Sequence, residues 1–390
     1  MEFVKVQLQT RIRDFLLAVD FSIENERVAL LGRDNAGKTE ILRSIAGVYT
    51  PEHGNIEILG RTVFNAALAI NLPASERHAG WVPGINALFP NETVAENVRF
   101  PFRRGLPISQ HEAERRIDET LDLLALSPHR NHLVRDLDER KQFWVALART
   151  LVLDPEVLLI DQPFRDMDVG LQRRLRHDVQ RIRRMIGVPA LVATSDLEEA
   201  YEIGDRIALV DQGELLQFAP PRTLVTRPIN RAVAELVRSV NVFPGTVLDS
   251  FEDGAAVQTD LGTLHVSGIT HAPGEVEVVI RPEHIRILAE DEAAPADDNV
   301  LSGTLLDSTD YGALHSLTFH PDGAPSSRVL EISVSDPLFQ QLELRKLGRR
   351  QVLLPSHAVH IMDVPTPAQP LEQRWLSEDA PLAEDQEPLG

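Results

Sequence analysis

The chain has no cysteine among its 390 residues, so disulfides, thiolate chemistry and Cys-based zinc sites are all excluded. Positive charge is also scarce. Lys and Arg number 39 against 59 Asp and Glu, a net charge of −20. Binding a phosphate backbone needs a basic footprint, so no nucleic-acid partner is expected. No apolar run approaches the roughly 18 to 20 residues that span a bilayer. The start, Met1-Glu2-Phe3-Val4-Lys5, lacks the basic stretch and apolar run of a signal peptide. These absences give the expectation of a cytoplasmic chain with no membrane span, whose membrane role, if any, runs through a partner.

The remaining composition is that of a globular protein, 43% hydrophobic and 25% charged, long enough for two or three domains. Residues 1 to about 32 alternate in short runs such as Asp14-Phe15-Leu16-Leu17-Ala18-Val19-Asp20-Phe21, which reads as antiparallel strand. Val28-Ala29-Leu30-Leu31, Val157-Leu158-Leu159-Ile160-Asp161, Pro189-Ala190-Leu191-Val192-Ala193-Thr194 and Asp205-Arg206-Ile207-Ala208-Leu209-Val210 read as buried strands. Between them lie helical patterns at about 38–46, 108–151 and 170–186. Buried strands alternating with helices predict a mostly parallel sheet covered on both faces, an α/β fold. After about residue 238, short strands separated by turns predict a small all-β, barrel-like accessory domain to about 363. The stretch from 364 to 390 is rich in Pro, Asp and Glu and reads as a disordered tail.

Gly32-Arg33-Asp34-Asn35-Ala36-Gly37-Lys38-Thr39 fits G-x-x-x-x-G-K-[ST] and lies between a buried strand and a helix, as a phosphate-binding P-loop must. Its glycines let backbone N–H groups converge on phosphate, and the helix N-terminus adds positive potential. Lys38 is placed to reach the terminal phosphates, and Thr39 to ligate Mg²⁺. Asp34 and Glu40 set two carboxylates in or beside a loop meant for a polyanion, which weakens it; Arg33 partly offsets them. Asn35 stands where glycine would be easiest, although Asn tolerates left-handed backbone.

With the P-loop placed, other motifs follow in a definite order. Ala87-Leu88-Phe89-Pro90-Asn91-Glu92-Thr93-Val94-Ala95-Glu96-Asn97-Val98, Val145-Ala146-Leu147-Ala148-Arg149, the strand ending at Asp161, and Asp196-Leu197-Glu198-Glu199-Ala200 resemble successive landmarks of ABC-transporter nucleotide-binding subunits. The resemblance covers residues 1–237, with a helical subdomain at about 90–150. Ile280-Arg281-Pro282-Glu283-His284-Ile285 extends it into the OB-like accessory domain (238–363) of importers of oxyanions, iron and polyamines. The segments beginning at Gly60 and Ile70 look most like molybdate-type subunits. The resemblance implies a P-loop ATPase fold, ATP and Mg²⁺ as cofactors, with Thr39 and Asp161 on the metal. It also implies a transmembrane permease as partner, a homodimer or a heterodimer with another nucleotide-binding subunit, and a place on the inner face of the cell membrane.

The departures from that family cluster where its chemistry is done. The position of the glutamate that polarises water is Gln162, which cannot accept a proton. Loss of a general base typically costs about 10²–10⁴ in rate. The family's γ-phosphate histidine is matched by Ser195, and its Q-loop glutamine by Gly84. The signature L-S-G-G-Q, which clasps the γ-phosphate across a dimer interface, is replaced by Leu137-Asp138-Glu139-Arg140-Lys141. Asp138 also reads as a helix N-cap, and Ser195-Asp196 as a turn and cap. Asp161 and Asp168, matching the family's Walker B and D-loop aspartates, remain. The resemblance therefore implies an importer's ATP-binding subunit with hydrolysis impaired or lost, or else a pseudo-ATPase serving as a regulatory or scaffolding partner.

Overall fold

A computed structural model of the chain describes residues 2–12, 15–83, 87–104, 108–163, 170, 187–289, 292 and 298–364. The chain divides into two compact units, Met1–Leu224 and Val225–Gly390. Gly84, Asp168, the helical pattern at 171–186 and the tail from 365 lie outside the described residues.

The first unit is built on an eleven-stranded sheet. Its strands are β1 (Val4–Ile12), β2 (Phe15–Ile23), β3 (Arg27–Leu31), β4 (His53–Ile58), β5 (Arg61–Asn65), β6 (Ile70–Asn71), β7 (Ala79–Val82), β8 (Val157–Asp161), β9 (Ala190–Thr194), β10 (Arg206–Asp211) and β11 (Glu214–Ala219). The order is β6-β5-β4-β1-β2-β11-β10-β3-β9-β8-β7. From β10 through β3, β9 and β8 to β7 the strands are parallel. The β1–β2 and β4–β5 ladders are antiparallel.

Every residue of β8 and of β9 is buried, because helices cover both faces of this part of the sheet. On one face Val157 and Leu159 pack with Ile41, Leu42 and Ile45 of α1 (Lys38–Ala46). On the other, Leu158 and Ile160 join a core with α2 (Val94–Arg99), α3 (Gln110–Leu123) and α4 (Glu139–Leu151). The period-2 alternation of a strand sends successive side chains to these two cores. The helical pattern at 108–151 is not one helix. It breaks where Ala125 adopts φ 55° and two short 3₁₀ turns carry the chain to a new N-cap at Asp138. The Thr93-to-Asn97 stretch has a structural explanation. Thr93 and Glu96 form a capping box at the start of α2, and buried Asn97 holds both the amide and the carbonyl of Phe89. The unit ends with α5 (Leu197–Ile203) and, at the boundary, α6 (Pro221–Thr226). No helix among the described residues is long and apolar enough to cross a membrane.

The second unit begins before the change in composition, because α7 (Arg231–Leu236) buries Ala234 against Val279 and Met362 of that unit. Its strands are β12 (Asn241–Phe251), β13 (Gly254–Thr259), β14 (Gly262–Ser267), β15 (Gly274–Ile280), β16 (Arg286–Ile287), β17 (Asn299–Asp310), β18 (Leu314–Pro321), β19 (Leu330–Ser335), β20 (Arg349–Leu354) and β21 (His360–Asp363), with α8 (Asp336–Gln341) after β19. They form two five-stranded antiparallel sheets, β14-β13-β12-β15-β21 and β16-β20-β17-β18-β19. Both sheets contribute to one apolar core, which includes Phe243, Val257, Val278, Phe319, Ile332 and Leu354. The arrangement is a nearly closed, OB-like barrel.

The two sheets are copies of one another. Residues 241–250, NVFPGTVLDS, and 299–308, NVLSGTLLDS, are identical at seven of ten positions. Leu248 and Leu306 each fall at a register shift in the ladder to the following strand. Asn241 holds the amide and carbonyl of Glu331 in β19, at 2.8 Å each. Asn299 does the same to His265 in β14, at 2.6 and 2.8 Å. Each half thus clasps the third strand of the other.

Candidate functional site

The P-loop turns out of β3 with no room for a side chain at its first glycine. A Cβ on Gly32 would stand 2.1 Å from the carbonyl oxygen of Val210. Gly37 has φ 102°, and Asn35 takes the left-handed φ of 64° that Asn bears better than most residues. Both left-handed turns curl the backbone ahead of α1. The Lys38 ammonium is buried and donates to the carbonyls of Gly32 and Arg33, each at 2.8 Å. It braces the loop from inside. Arg33 and Asp34 are exposed at the rim, with the Arg33 guanidinium 3.9 Å from Asp211. Glu40 is half-buried in the first turn of α1.

The Thr39 hydroxyl donates to Asp161 Oδ1 at 3.0 Å. Asp161 ends β8 and is only 7% exposed. Burial pushes its carboxyl above the usual range; the Thr39 hydrogen bond and the charges of Arg43 and Lys38 pull the other way, and Glu40 adds to the rise. A hydroxyl and a carboxylate held together beside a phosphate loop suit a hard divalent cation. The raised pKa has a consequence for stability. The folded state holds a proton on Asp161 more tightly than the unfolded chain does. Its contribution is therefore complete below the unfolded carboxylate pKa of about 4 and is lost as pH rises through the folded value. Asp161→Asn is expected to raise the melting temperature at pH 7, with the gain shrinking toward pH 4. Calorimetry across that range checks it, and an equal or larger gain at pH 4 would contradict it.

The other site positions gather at the same carboxyl edge of the parallel strands, where open α/β sheets place ligands. Gln162 follows Asp161, has φ 47°, and donates its amide to Ala193 of β9 at 2.9 Å. Ser195 follows β9 and is exposed. Asp196 caps α5 through the amide of Glu199 at 2.7 Å, while the Thr194 hydroxyl donates to the buried Glu199 carboxylate at 2.8 Å. The amide of Gly32 donates to Thr194, so P-loop, β8 and β9 form one cluster.

The 137–141 segment belongs to the helical part of the unit, where α4 packs against α2 and α3. Leu137 is buried. Asp138 caps α4, accepting from the amide of Lys141 at 2.8 Å, and the Lys141 ammonium closes on its second oxygen. Burial opposes ionisation of Asp138, but these hydrogen bonds and the ammonium charge outweigh it and hold the carboxyl below its ordinary pKa. The positive end of α4 therefore already carries a fixed anion, itself neutralised by Lys141. Glu139 is exposed in the first turn and Arg140 half-buried.

Two further contributors have no motif to announce them. A Cβ on Gly37 would meet Leu17 Cδ1 at 2.8 Å and Phe15 Cε2 at 3.6 Å. The start of β2 thus forms an apolar wall beside the phosphate loop, which only an aromatic opening a strand hints at. Arg77, fully buried, donates to the carbonyls of Ser44 and Ile45 in the last turn of α1.

A phosphate loop braced by lysine, at the carboxyl edge of a two-faced parallel sheet beside a buried Thr–Asp pair, defines a P-loop nucleotide-binding domain. The family model described as ABC transporter matches residues 16–165. The spermidine/putrescine import ATP-binding protein PotA of Rubrobacter xylanophilus is 34% identical over 334 residues, 82% of this chain and 85% of that protein. The Fe(3+) ions import ATP-binding protein FbpC of Brucella melitensis is 34% identical over 292 residues, 73% and 77% of the two chains. The molybdate/tungstate import ATP-binding protein WtpC of Pyrococcus horikoshii is 30% identical over 352 residues, 90% and 96%. The chain belongs to the family of ABC importer ATP-binding subunits. In fold it is similar to cbiO1 from Clostridium perfringens, with TM-score 0.50 and 19% identity over 57% of this chain and 90% of that one.

Proposed function

We propose that the chain binds ATP·Mg²⁺ on its P-loop as a peripheral subunit of an importer's permease, and hydrolyses it far more slowly than its relatives' design allows. The observation that carries the reading is the N-terminus of α4, closed by Asp138 and Lys141. In an ABC dimer that helix end must receive the γ-phosphate held by the other subunit. Here a second anion would meet a carboxylate and a bulkier side chain at each position. Gln162, unable to take a proton, and the short, exposed Ser195 remove the other groups that act on the attacking water and terminal phosphate.

Binding is a separate matter, supported by the Gly32–Val210 fit, the Lys38 brace and the Thr39–Asp161 pair. Thr39 and Asp161 would hold the metal, which supplies charge neutralisation at the phosphates. The accessory barrel and the spread of relatives over polyamine, iron and molybdate importers support a solute in that group, with molybdate-type oxyanions the first to test.

The test is calorimetric titration of purified chain with ATP·Mg²⁺, alongside phosphate release. Saturable binding with negligible turnover is expected. Lys38→Ala is expected to weaken binding by at least about tenfold, since it removes a buried cation from the phosphate loop. Turnover at the rate of a complete ABC ATPase would sink the proposal of impaired hydrolysis. Absence of binding would show the P-loop to be vestigial.

A further inference from the structure

One carboxylate beside the phosphate loop has no task in the site as built so far. Glu40 is half-buried in the first turn of α1, directly after Thr39. Among the described residues its carboxylate has no hydrogen-bond or ion-pair partner; the Ser44 hydroxyl donates instead to its backbone carbonyl, at 2.8 Å. The cations closest in sequence are engaged elsewhere. Lys38 donates to the carbonyls of Gly32 and Arg33, and the Arg43 guanidinium lies over the Trp81 ring, 5.9 Å from its centroid.

The charge of Glu40 still reaches the site. It acts on Asp161 as a like charge, against the pull of Arg43 and Lys38. Asp161 is itself buried and joined to Thr39 Oγ1. Two carboxylates therefore stand at the start of the helix that must receive phosphate. In a half-buried place their field is screened less than at an open surface. Asp34 differs in this respect: it is exposed at the rim, where solvent and salt weaken its effect.

Such a charge does not weaken the loop evenly. Metal-free nucleotide brings its full phosphate charge against both carboxylates. When the nucleotide carries Mg²⁺, the Thr39–Asp161 pair gains a cation, and the attraction of Glu40 to it offsets the repulsion of the phosphates. We propose that Glu40 makes this P-loop selective for metal-loaded over metal-free nucleotide, a role that rests on the loop's binding ATP·Mg²⁺ as proposed above. Loading with the metal-free form is excluded by a fixed charge of the chain itself, before any step that acts on the terminal phosphate.

The test is calorimetric titration of the full chain with ATP in excess EDTA and with ATP in excess MgCl₂. The parent is compared with Glu40→Gln, which keeps the shape and removes the charge, and with Glu40→Asp, which keeps the charge. Glu57→Gln, which removes a half-buried carboxylate from β4, is the control. In Glu40→Gln, affinity for metal-free ATP is expected to rise at least about tenfold and affinity for ATP·Mg²⁺ by less than about threefold. Glu40→Asp and Glu57→Gln are expected to keep the parent's preference. Damage to the fold would weaken both forms together, so the ratio of the two affinities separates charge from structure. An unchanged ratio in Glu40→Gln, or an equal change in Glu57→Gln, would overturn the role of Glu40 and leave ATP binding in place. Binding of neither form by the parent and by Glu40→Gln would overturn both.

Discussion

Restoring the α4 N-terminus with Asp138→Ser, Glu139→Gly, Arg140→Gly and Lys141→Gln, together with Gln162→Glu and Ser195→His, is expected to raise ATP turnover by on the order of 10²–10⁴. Leu137 needs no change, since it already matches the motif and is buried. Asp138→Ser keeps a good capping residue, so α4 keeps its start while losing its fixed charge. The freed helix end can then accept a phosphate from a facing subunit. Gln162→Glu alone is expected to do little, because a base is useful only where the terminal phosphate is held in place. Phosphate release from the single, partial and combined variants decides this. A gain from Gln162→Glu as large as from the full set would show that the Asp138–Lys141 pair is no obstacle.

Arg77→Met is expected to destabilise the first unit by about 3 kcal/mol or more, since each buried acceptor left unmatched costs roughly 1–3 kcal/mol. The guanidinium is fully buried and donates to four acceptors: Ser44 at 2.6 Å, Ile45 at 3.3 Å, Leu72 at 2.8 Å and the Asn71 side chain at 2.6 Å. Two of these are carbonyls at the negative end of α1, the helix whose other end is the P-loop. Burial lowers the arginine's pKa. For a unit of this size the loss corresponds to about 6–12 °C in melting temperature. Arg77→Lys should recover only part of it, because one ammonium cannot span four acceptors in the guanidinium plane. ATP affinity should fall with stability, as α1 carries the loop. A melting temperature for Arg77→Met within a degree of the parent would refute the account.

What could be read from the chain alone followed the range of the interaction involved. Val157–Asp161 and Ala190–Thr194 were legible as buried strands because both faces are covered and no polar residue interrupts them. The P-loop was legible because its chemistry needs fixed residue types at fixed spacing. Asp138 was legible as a cap for the same local reason. The break at Ala125 was hidden, since an alanine at positive φ leaves no trace in a periodic pattern. So was the role of Arg77, whose acceptors at 44 and 45 lie over thirty residues away. The wall made by Phe15 and Leu17 depends on β2 passing the P-loop, a tertiary fact. Strands β18 and β19 alternate buried and more exposed residues, but which strands they pair with, and the Asn241 clasp on Glu331, depend on contacts far along the chain.

Those clasps bear on how the second unit is assembled. Asn241 bonds a partner 90 residues ahead, and Asn299 one 34 residues behind. β16 pairs with β20 from the other half, and β21 with β15. Each half completes its sheet with a strand of the other, so the two are expected to fold together, and a chain cut between residues 289 and 298 is expected to yield two fragments that are each incomplete until they find one another.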